Sequence, residues 1–373
     1  MAAKVGVDAV PLLHLNGGIG YYLFYLLDEI ISARSDLSFY LYTTSEKGDS
    51  DHFRKYPNVT IRAISPFPFS HSLWGQTSLA YALYRDGIDI FWGSTQSIPL
   101  IKRRQMKTLL TIYDFAYLLY PQTVSTLKCL YLKLFSRQML QRADALAPIS
   151  QGTADKLQLY YGVGPGEIVT PPLKTTIVRQ DPTTTAAFLE RKGLKFKDYL
   201  LTVGTLEPRK NFSFLIRSYL NLLKTRELLP LVLIGGGGWK NEEMIKELND
   251  AQERYPQQIF ILGSIKDEEL SYYLSGAHAY LCLSLYEGYG MPIAEARVCG
   301  TQVVCFDFPE MREAAENDAL FLRNDGLEIE LERIFLRKGN LKNQNFCAPT
   351  NYLSNKEIAQ KVVTILDNLR IEK

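Results

Sequence analysis

The pattern of apolar segments predicts an α/β protein built from two doubly wound, Rossmann-like domains. Short β-branched or aromatic runs alternate with longer amphipathic stretches almost from end to end, the signature of parallel strand–helix units. The alternation breaks once, at a proline- and threonine-rich stretch beginning TPPLKTTIVRQDPTTT, and then restarts. With 373 residues the chain exceeds what one hydrophobic core usually serves, so each side of the break is expected to fold around its own core.

In the first half, runs of Val, Ile, Leu, Phe, Tyr and Thr bounded by polar residues predict strands at Val5 to Val10, Leu37 to Tyr42, Val59 to Ile64, Asp89 to Trp92, Thr108 to Tyr113 and Asp144 to Ala147. Apolar residues recurring at helical spacing predict helices at Ile19 to Ala33, Leu73 to Arg85 and Leu127 to Gln141. The second half reads strand Tyr199 to Val203, helix from Asn211, strand Leu231 to Ile234, helix Asn241 to Tyr255, strand Ile259 to Leu262, helix Asp267 to Ser275 and strand Ala279 to Ser284. Helix Pro292 to Cys299, strand Gln302 to Phe306 and helix Pro309 to Ala315 follow. The expected division is a first domain at residues 1–172, a linker at 173–198 and a second domain at 199–353. Residues 354–373 form one amphipathic helix that could close either domain and is expected to pack back on the first. Two such domains place a ligand cleft between the carboxyl ends of their sheets.

Composition narrows the function classes. The chain is 46% hydrophobic and 22% charged with a net charge of +2, an ordinary globular balance that argues against a dedicated nucleic-acid binder. No apolar run approaches the roughly 20 residues of a membrane span, and MAAKVGVDAV lacks an apolar signal core, so a cytoplasmic protein is expected. Cys129, Cys282, Cys299, Cys305 and Cys347 form no C-x-x-C pair and read as small reduced core residues. Between Ile101 and Arg142 eight basic residues face one acid, Asp114. Lys128, Lys133 and Arg137 there alternate with Leu130, Tyr131, Leu134 and Phe135, which fits either a solvated helix or peripheral contact with an anionic membrane surface.

Four stretches carry candidate chemistry. Asn16-Gly17-Gly18-Ile19-Gly20 opens a helix just after the first strand; it fits a phosphate cradle or simply a tight turn, and differs from the dinucleotide fingerprint G-x-G-x-x-G. In GTLEPRKN, adjacent Arg209 and Lys210 follow a strand end, where a planar fork and a point charge suit a diphosphate. Gly235 to Gly238, followed by Trp239, fits a flexible turn as well as close ligand approach. In SLYEGYGMPIAEARVCG, Pro292 and Gly300 bracket a short helix whose start presents the amides of Gly288, Tyr289, Gly290 and Met291. Glu287 lies just before that helix and Glu295 one turn inside it. Two carboxylates suit vicinal sugar hydroxyls, but they also suit the acid–base pair of a glycosidase. No burial that would raise either pKa is evident, which favours hydroxyl binding. Asp49-Ser50-Asp51 sits in a polar run and reads as a solvated loop, and His14, His52, His71 and His278 form no metal-ligand spacing, so no metal is expected.

Taken together these residues resemble the retaining, sugar-nucleotide-dependent glycosyltransferases of family four, which have the two-domain GT-B fold. The resemblance rests on the E-x7-E motif EGYGMPIAE, on GTLEPRKN, on GGIG near the start and on VVCFDFPEMREAAENDAL, in the family's order and over nearly the whole chain. It implies an acceptor-side first domain and a second domain that binds the nucleotide sugar. It implies that Arg209 and Lys210 bind the donor diphosphate, Glu295 the ribose and Glu287 a hydroxyl of the transferred sugar. The amides of Gly288 to Met291 would meet sugar and phosphate, Gly18 the diphosphate from the other domain, and backbone around Ile265 the base. Many relatives have histidine followed by aspartate where this chain has Tyr113-Asp114, which puts these two residues on the acceptor or sugar side and leaves the histidine's role unassigned; the usual G-x-P after the motif helix is Gly300-Thr301-Gln302.

The implied activity is metal-independent transfer of a hexose, mannose favoured, with retention of configuration and no cofactor. The donor would be a nucleotide diphosphate sugar, GDP-linked by preference and UDP-linked as second candidate. The acceptor would be a glycan or lipid-linked glycan in bacterial surface polysaccharide or lipopolysaccharide synthesis, met in the cytoplasm or at the inner face of the membrane through residues 102–142. An epimerase or phosphorylase on the same scaffold, and a non-catalytic nucleotide-sugar binder, are the alternatives.

Overall fold

The computed structural model describes residues 2–15, 17–66, 71–238, 241–323, 327–336 and 352–371; Asn16, Trp239 and Cys347 lie outside the described residues. The chain divides into two compact units, residues 1–172 together with 353–373, and residues 173–352.

In the first unit, β1 (Ala3–Asp8) leads through a turn to α1 (Gly18–Ala33), then β2 (Leu37–Thr43), β3 (Val59–Ala63), α2 (Ser78–Asp86), β4 (Ile90–Gly93) and β5 (Lys107–Ile112). A short α3 (Ala116–Leu119), the long α4 (Thr126–Arg142), β6 (Ala145–Pro148) and α5 (Gln151–Tyr161) complete the run. All neighbouring strands pair in parallel in the order β3-β2-β1-β4-β5-β6. Parallel pairing needs crossovers, and the helices that make them cover the sheet, which explains why β4 is buried at every position. Leu23, Leu26, Leu27 and Ile30 form the buried stripe by which α1 docks.

The second unit opens with α6 (Pro182–Glu190) and continues β7 (Leu200–Val203), α7 (Phe212–Leu223), β8 (Leu231–Ile234), α8 (Glu242–Arg254), β9 (Ile259–Ile261) and α9 (Asp267–Gly276). It ends with β10 (Ala279–Cys282), α10 (Met291–Val298), β11 (Gln302–Phe306), α11 (Pro309–Ala314), β12 (Leu320–Leu322) and α12 (Leu327–Phe335). Its sheet, β12-β11-β10-β7-β8-β9, repeats the topology of the first: in each unit the first strand lies between the second and the fourth. The last helix, α13 (Asn355–Ile371), belongs to the first unit.

Residues 173–198 are not a free linker. Asp181 caps α6 by accepting from the Thr184 amide, and Pro182 occupies the first turn. Thr185 and Leu189 are buried, Phe188 stacks on Tyr272 of α9 at 4.7 Å, and the segment packs as part of the second unit. The threonine-rich composition hid a capped helix with only a narrow apolar face. The polar α5 escaped notice for the same reason, although Ser150 caps it by accepting from Thr153. Cys129, Cys282, Cys299 and Cys305 are free and buried.

Helix α13 presents Ile358, Val362, Ile365, Leu366 and Leu369 as a buried stripe and packs against α1. Ion pairs frame the contact: Arg34 reaches Asp367 at 2.8 Å and Arg370 reaches Asp36 at 2.9 Å. Leu366→Ala is expected to destabilise the first unit by about 2–5 kcal/mol through lost transfer energy and the cavity left behind. Urea unfolding followed by circular dichroism measures it, and an unchanged midpoint would show that α13 does not support the core.

Candidate functional site

The second sheet has its topological switch point between β7 and β10, which are hydrogen-bonded neighbours although the chain leaves them in opposite directions along the sheet. The loops beyond their carboxyl ends, residues 204–211 and 283–290, meet there. The Leu285 amide donates to the Arg209 carbonyl at 2.9 Å, and Asn211 Nδ2 donates to the Leu283 carbonyl at 3.1 Å. Asn211 occupies the N-cap position of α7 with no side-chain cap bond; it adopts φ +60°, a left-handed conformation that asparagine tolerates, and its side chain ties the two loops together. The glycine run at 235–238 also resolves. A Cβ on Gly235 would fall on the Gly204 carbonyl oxygen, and one on Gly238 on that of Leu206. These glycines let neighbouring backbones touch and so fix the loop after β7.

That loop places two cations against buried carboxylates. Arg209 Nη1 donates to Glu287 Oε2 at 2.8 Å and to the Tyr286 carbonyl at 2.6 Å. Lys210 Nζ donates to the other oxygen, Glu287 Oε1, at 2.6 Å. A second carboxylate, Glu207, takes Arg209 Nη2 at 2.5 Å. Glu207 and Glu287 are only 3% and 7% exposed. Burial alone would raise the Glu287 pKa, but the charges of Lys210 and Arg209, with hydrogen bonds from Lys210 and Ser284, bring it down to about 2. Glu287 is therefore an obligate carboxylate at any physiological pH.

Glu295 lies on the inner side of α10 and is 4% exposed. Burial pushes its pKa up to about 7, with Lys174 opposing and Asp267 adding to the shift. This corrects the sequence-based expectation that neither glutamate is perturbed by burial: the two are driven apart, because cations reach Glu287 and stay away from Glu295. Lys174 and Asp267 form their own ion pair at 2.8 Å. Gly290, at φ +105°, starts α10, and its successor Met291 is the first helical residue. Tyr289 is buried, with its pKa raised chiefly by that burial. At the far end of α10, buried Arg297 pairs with Glu316 at 3.2 Å and lies 5.7 Å over the ring of Tyr352, whose hydroxyl donates to the Ala314 carbonyl. Ile265 is half-buried between β9 and α9.

The remaining candidates belong to the first unit. Gly18 begins α1 and is exposed. Tyr113 follows β5 directly with a buried side chain: its ring meets Tyr22 edge-on at 5.4 Å, and its hydroxyl has no hydrogen-bond partner among the described residues. Asp114 accepts from the Ala116 amide at 2.9 Å and starts α3, a local turn role. In the basic stretch, Lys102 and Lys107 pair with Asp144, just beyond the counted window. Helix α4 buries Cys129, Leu132, Ser136, Met139 and Leu140, yet leaves Leu127, Leu130 and Leu134 at 74%, 54% and 60% exposure beside exposed Lys128, Lys133 and Arg137. Among the described residues no group of three or more His, Cys, Asp or Glu could hold a metal ion, and no helix is long and apolar enough to cross a membrane.

Residues 188–328, which carry both loops of the switch point and all of α10, match the model of a family described as glycosyl transferases group 1. That stretch of the second unit is thus similar in sequence to the group 1 glycosyl transferases. The chain is 28% identical over 247 residues to O-antigen chain mannosyltransferase B of Escherichia coli, covering 65% of this chain and 63% of that one. Over 170 residues it is 31% identical to N-acetylgalactosamine-N,N'-diacetylbacillosaminyl-diphospho-undecaprenol 4-alpha-N-acetylgalactosaminyltransferase of Campylobacter jejuni, covering 44% and 42%. The matches thus span less than two thirds of either relative's length. The whole chain superposes on Anabaena Alr3699/HepE, solved in complex with UDP and glucose, with TM-score 0.71 at 16% identity, covering 98% of this chain and 100% of that one. This likeness and the twin parallel sheets give the two-domain α/β GT-B fold expected from the sequence.

In the second unit the glutamates link stability to pH with opposite signs. Glu287, lowered from 4.5 to about 2, lends stability that is complete above pH 4.5 and lost as pH falls through about 2. Glu295, raised from 4.5 to about 7, lends stability that is complete below pH 4.5 and lost as pH rises through about 7. Thermal melts across pH should show Glu295→Gln flattening the decline toward neutral pH and Glu287→Gln flattening the acid-side decline. A Glu295→Gln profile parallel to wild type would contradict the assignment.

Proposed function

We propose that the chain is a retaining, metal-independent hexosyltransferase. It moves mannose from a nucleotide diphosphate sugar, GDP-linked by preference, to a glycan or lipid-linked glycan during synthesis of a surface polysaccharide such as lipopolysaccharide. One observation carries the reading: Arg209 and Lys210, at the switch point of the second sheet, share one ionised carboxylate, Glu287. An anion-sized position is thus already lined by a guanidinium and an ammonium. A donor diphosphate takes that position, and the released Glu287 accepts from hydroxyls of the sugar. As the bond to the sugar breaks, negative charge grows on the leaving diphosphate, and the two fixed cations oppose it without reorganising.

The separated pKa values would also suit an acid–base pair. The cations argue otherwise: a hydrolytic carboxylate held by both a lysine and an arginine would be a poor base and a poorer nucleophile, whereas diphosphate binding needs both charges. The mannosyltransferase relative supports the hexose, and the diphospho-undecaprenol in the Campylobacter relative's name supports a lipid-linked acceptor. The outward leucines of α4, set among lysines and arginine, support peripheral contact with the cytoplasmic face of an anionic membrane.

With GDP-mannose and a lipid-linked glycan, Arg209→Ala is expected to lower kcat about a hundredfold or more, the usual cost of one lost charge contact in the transition state. Glu287→Gln should also be strongly impaired, and near-wild-type rates for both variants would sink the reading. A thermal-shift series of GDP- and UDP-sugars ranks the donors, because bound ligand raises the melting temperature with the logarithm of its excess. For the membrane, co-sedimentation with phosphatidylglycerol vesicles should occur at low salt, fade as salt is added, and weaken in Leu130→Glu/Leu134→Glu. No sedimentation at low salt would remove the membrane from the proposal.

A further inference from the structure

Beyond the residues that the family pattern marks, the switch point holds a second buried carboxylate with no part in the reading so far. Glu207 sits two positions before Arg209 in the same loop, is as inaccessible as a core residue, and accepts from Arg209 Nη2 at 2.5 Å. Its backbone is fixed as well: its amide donates to the Thr205 carbonyl at 2.8 Å and its carbonyl accepts from the Lys210 amide at 3.0 Å. Arg209 therefore stands between two carboxylates that differ in kind. Glu287 arrives from the other loop and shares itself between Nη1 and Lys210, while Glu207 is local and takes Nη2. Two acids here balance two bases. An anion that takes over what Glu287 holds leaves the guanidinium with Glu207 on Nη2 and the Tyr286 carbonyl on Nη1, and of these two only Glu207 is charged.

We propose that Glu207 is a positioning residue: it keeps the Arg209 guanidinium aimed at the diphosphate when the donor displaces Glu287, an inference that rests on the glycosyltransferase reading. The fork geometry makes this division workable. The Nη2 edge stays anchored on Glu207, and the Nη1 edge turns its donors from Glu287 to phosphate oxygens without moving the side chain. Glu207 opposes diphosphate binding electrostatically, since it adds negative charge beside an anion. What it contributes is orientation, and orientation matters most when charge builds on the leaving group.

The test separates these two effects. Glu207→Gln keeps the shape and removes the charge. It is expected to lower kcat about tenfold to a hundredfold, the scale of a misplaced catalytic contact, while the KM for GDP-mannose stays level or falls. The thermal shift produced by GDP should be undiminished. A residue needed only for folding would lower the melting temperature of the free protein and weaken GDP binding together with kcat. If the glutamine variant does not fold, Glu207→Asp, which keeps the charge but withdraws it by one methylene, should show the same split between kcat and KM. A kcat equal to wild type, or a loss of GDP binding in step with kcat, overturns the proposal. If the wild-type protein transfers no sugar from any sugar nucleotide, the glycosyltransferase reading fails on its own. The positioning role, which rests on that reading, falls with it, whereas sugar transfer by wild type together with an equal kcat in Glu207→Gln rejects the positioning role alone.

Discussion

The contact on which the second unit depends is the pairing of Arg209 and Lys210 with Glu287 and Glu207 beyond β7 and β10. Four charged groups are withdrawn from water within a few ångströms, which is tolerable only because the signs cancel and most donors have acceptors. Removing one member of such a buried set typically costs about 3–5 kcal/mol, far more than the pair itself contributes to folding. The network is thus a poor investment in stability and a good one in geometry. It clamps two loops from distant parts of the chain, and it presents cations that are already desolvated and aimed.

Much else in the unit follows from keeping that clamp in place. The glycines at 235 and 238 let the loops after β7 and β8 stack by their backbones, so the arginine–lysine loop rests on main chain rather than on adjustable side chains. Asn211 adopts an uncommon backbone conformation to brace the same junction. The start of α10 is set by Gly290 and its end by Arg297, bound to Glu316 and stacked on Tyr352, so Glu295 is held on a helix fixed at both ends. That the two motif glutamates titrate in opposite directions is a consequence of where cations stop, not of the motif itself.

Much of this was legible in the sequence because parallel α/β units write their strands as apolar runs, and most strands could be read with boundaries shifted by a residue or two, although α2 begins at Ser78 rather than Leu73 and β12 and α12 were not read. Arg209, Lys210 and Glu287 were visible as charges at strand ends. Their mutual contact was not, since strand order is a long-range property: nothing local says that the first strand of the second unit lies beside the fourth. Burial was equally hidden. Glu295 reads as a polar residue in a helix, and only packing reveals that its carboxyl is desolvated. Glu207 was in plain view in GTLEPRKN, but a glutamate beside an arginine looks like surface charge until the glutamate is seen to be inaccessible. The burial of Tyr113 against Tyr22 was hidden for the same reason. Proline and threonine around α6 suggested a tether because composition speaks louder than a single capping aspartate.

The first unit is discontinuous: residues 1–172 are completed by 353–371, with the whole second unit written between them. On the ribosome the face of α1 that α13 covers is therefore made early and left open while about 180 further residues emerge, which at roughly 5–20 residues per second is tens of seconds at the slow end. During that interval Ile358, Val362, Leu366 and Leu369 do not yet exist to cover it. The apolar surface of the half-made unit is then a natural substrate for a chaperone, and the order of synthesis makes the second unit the first that can finish folding.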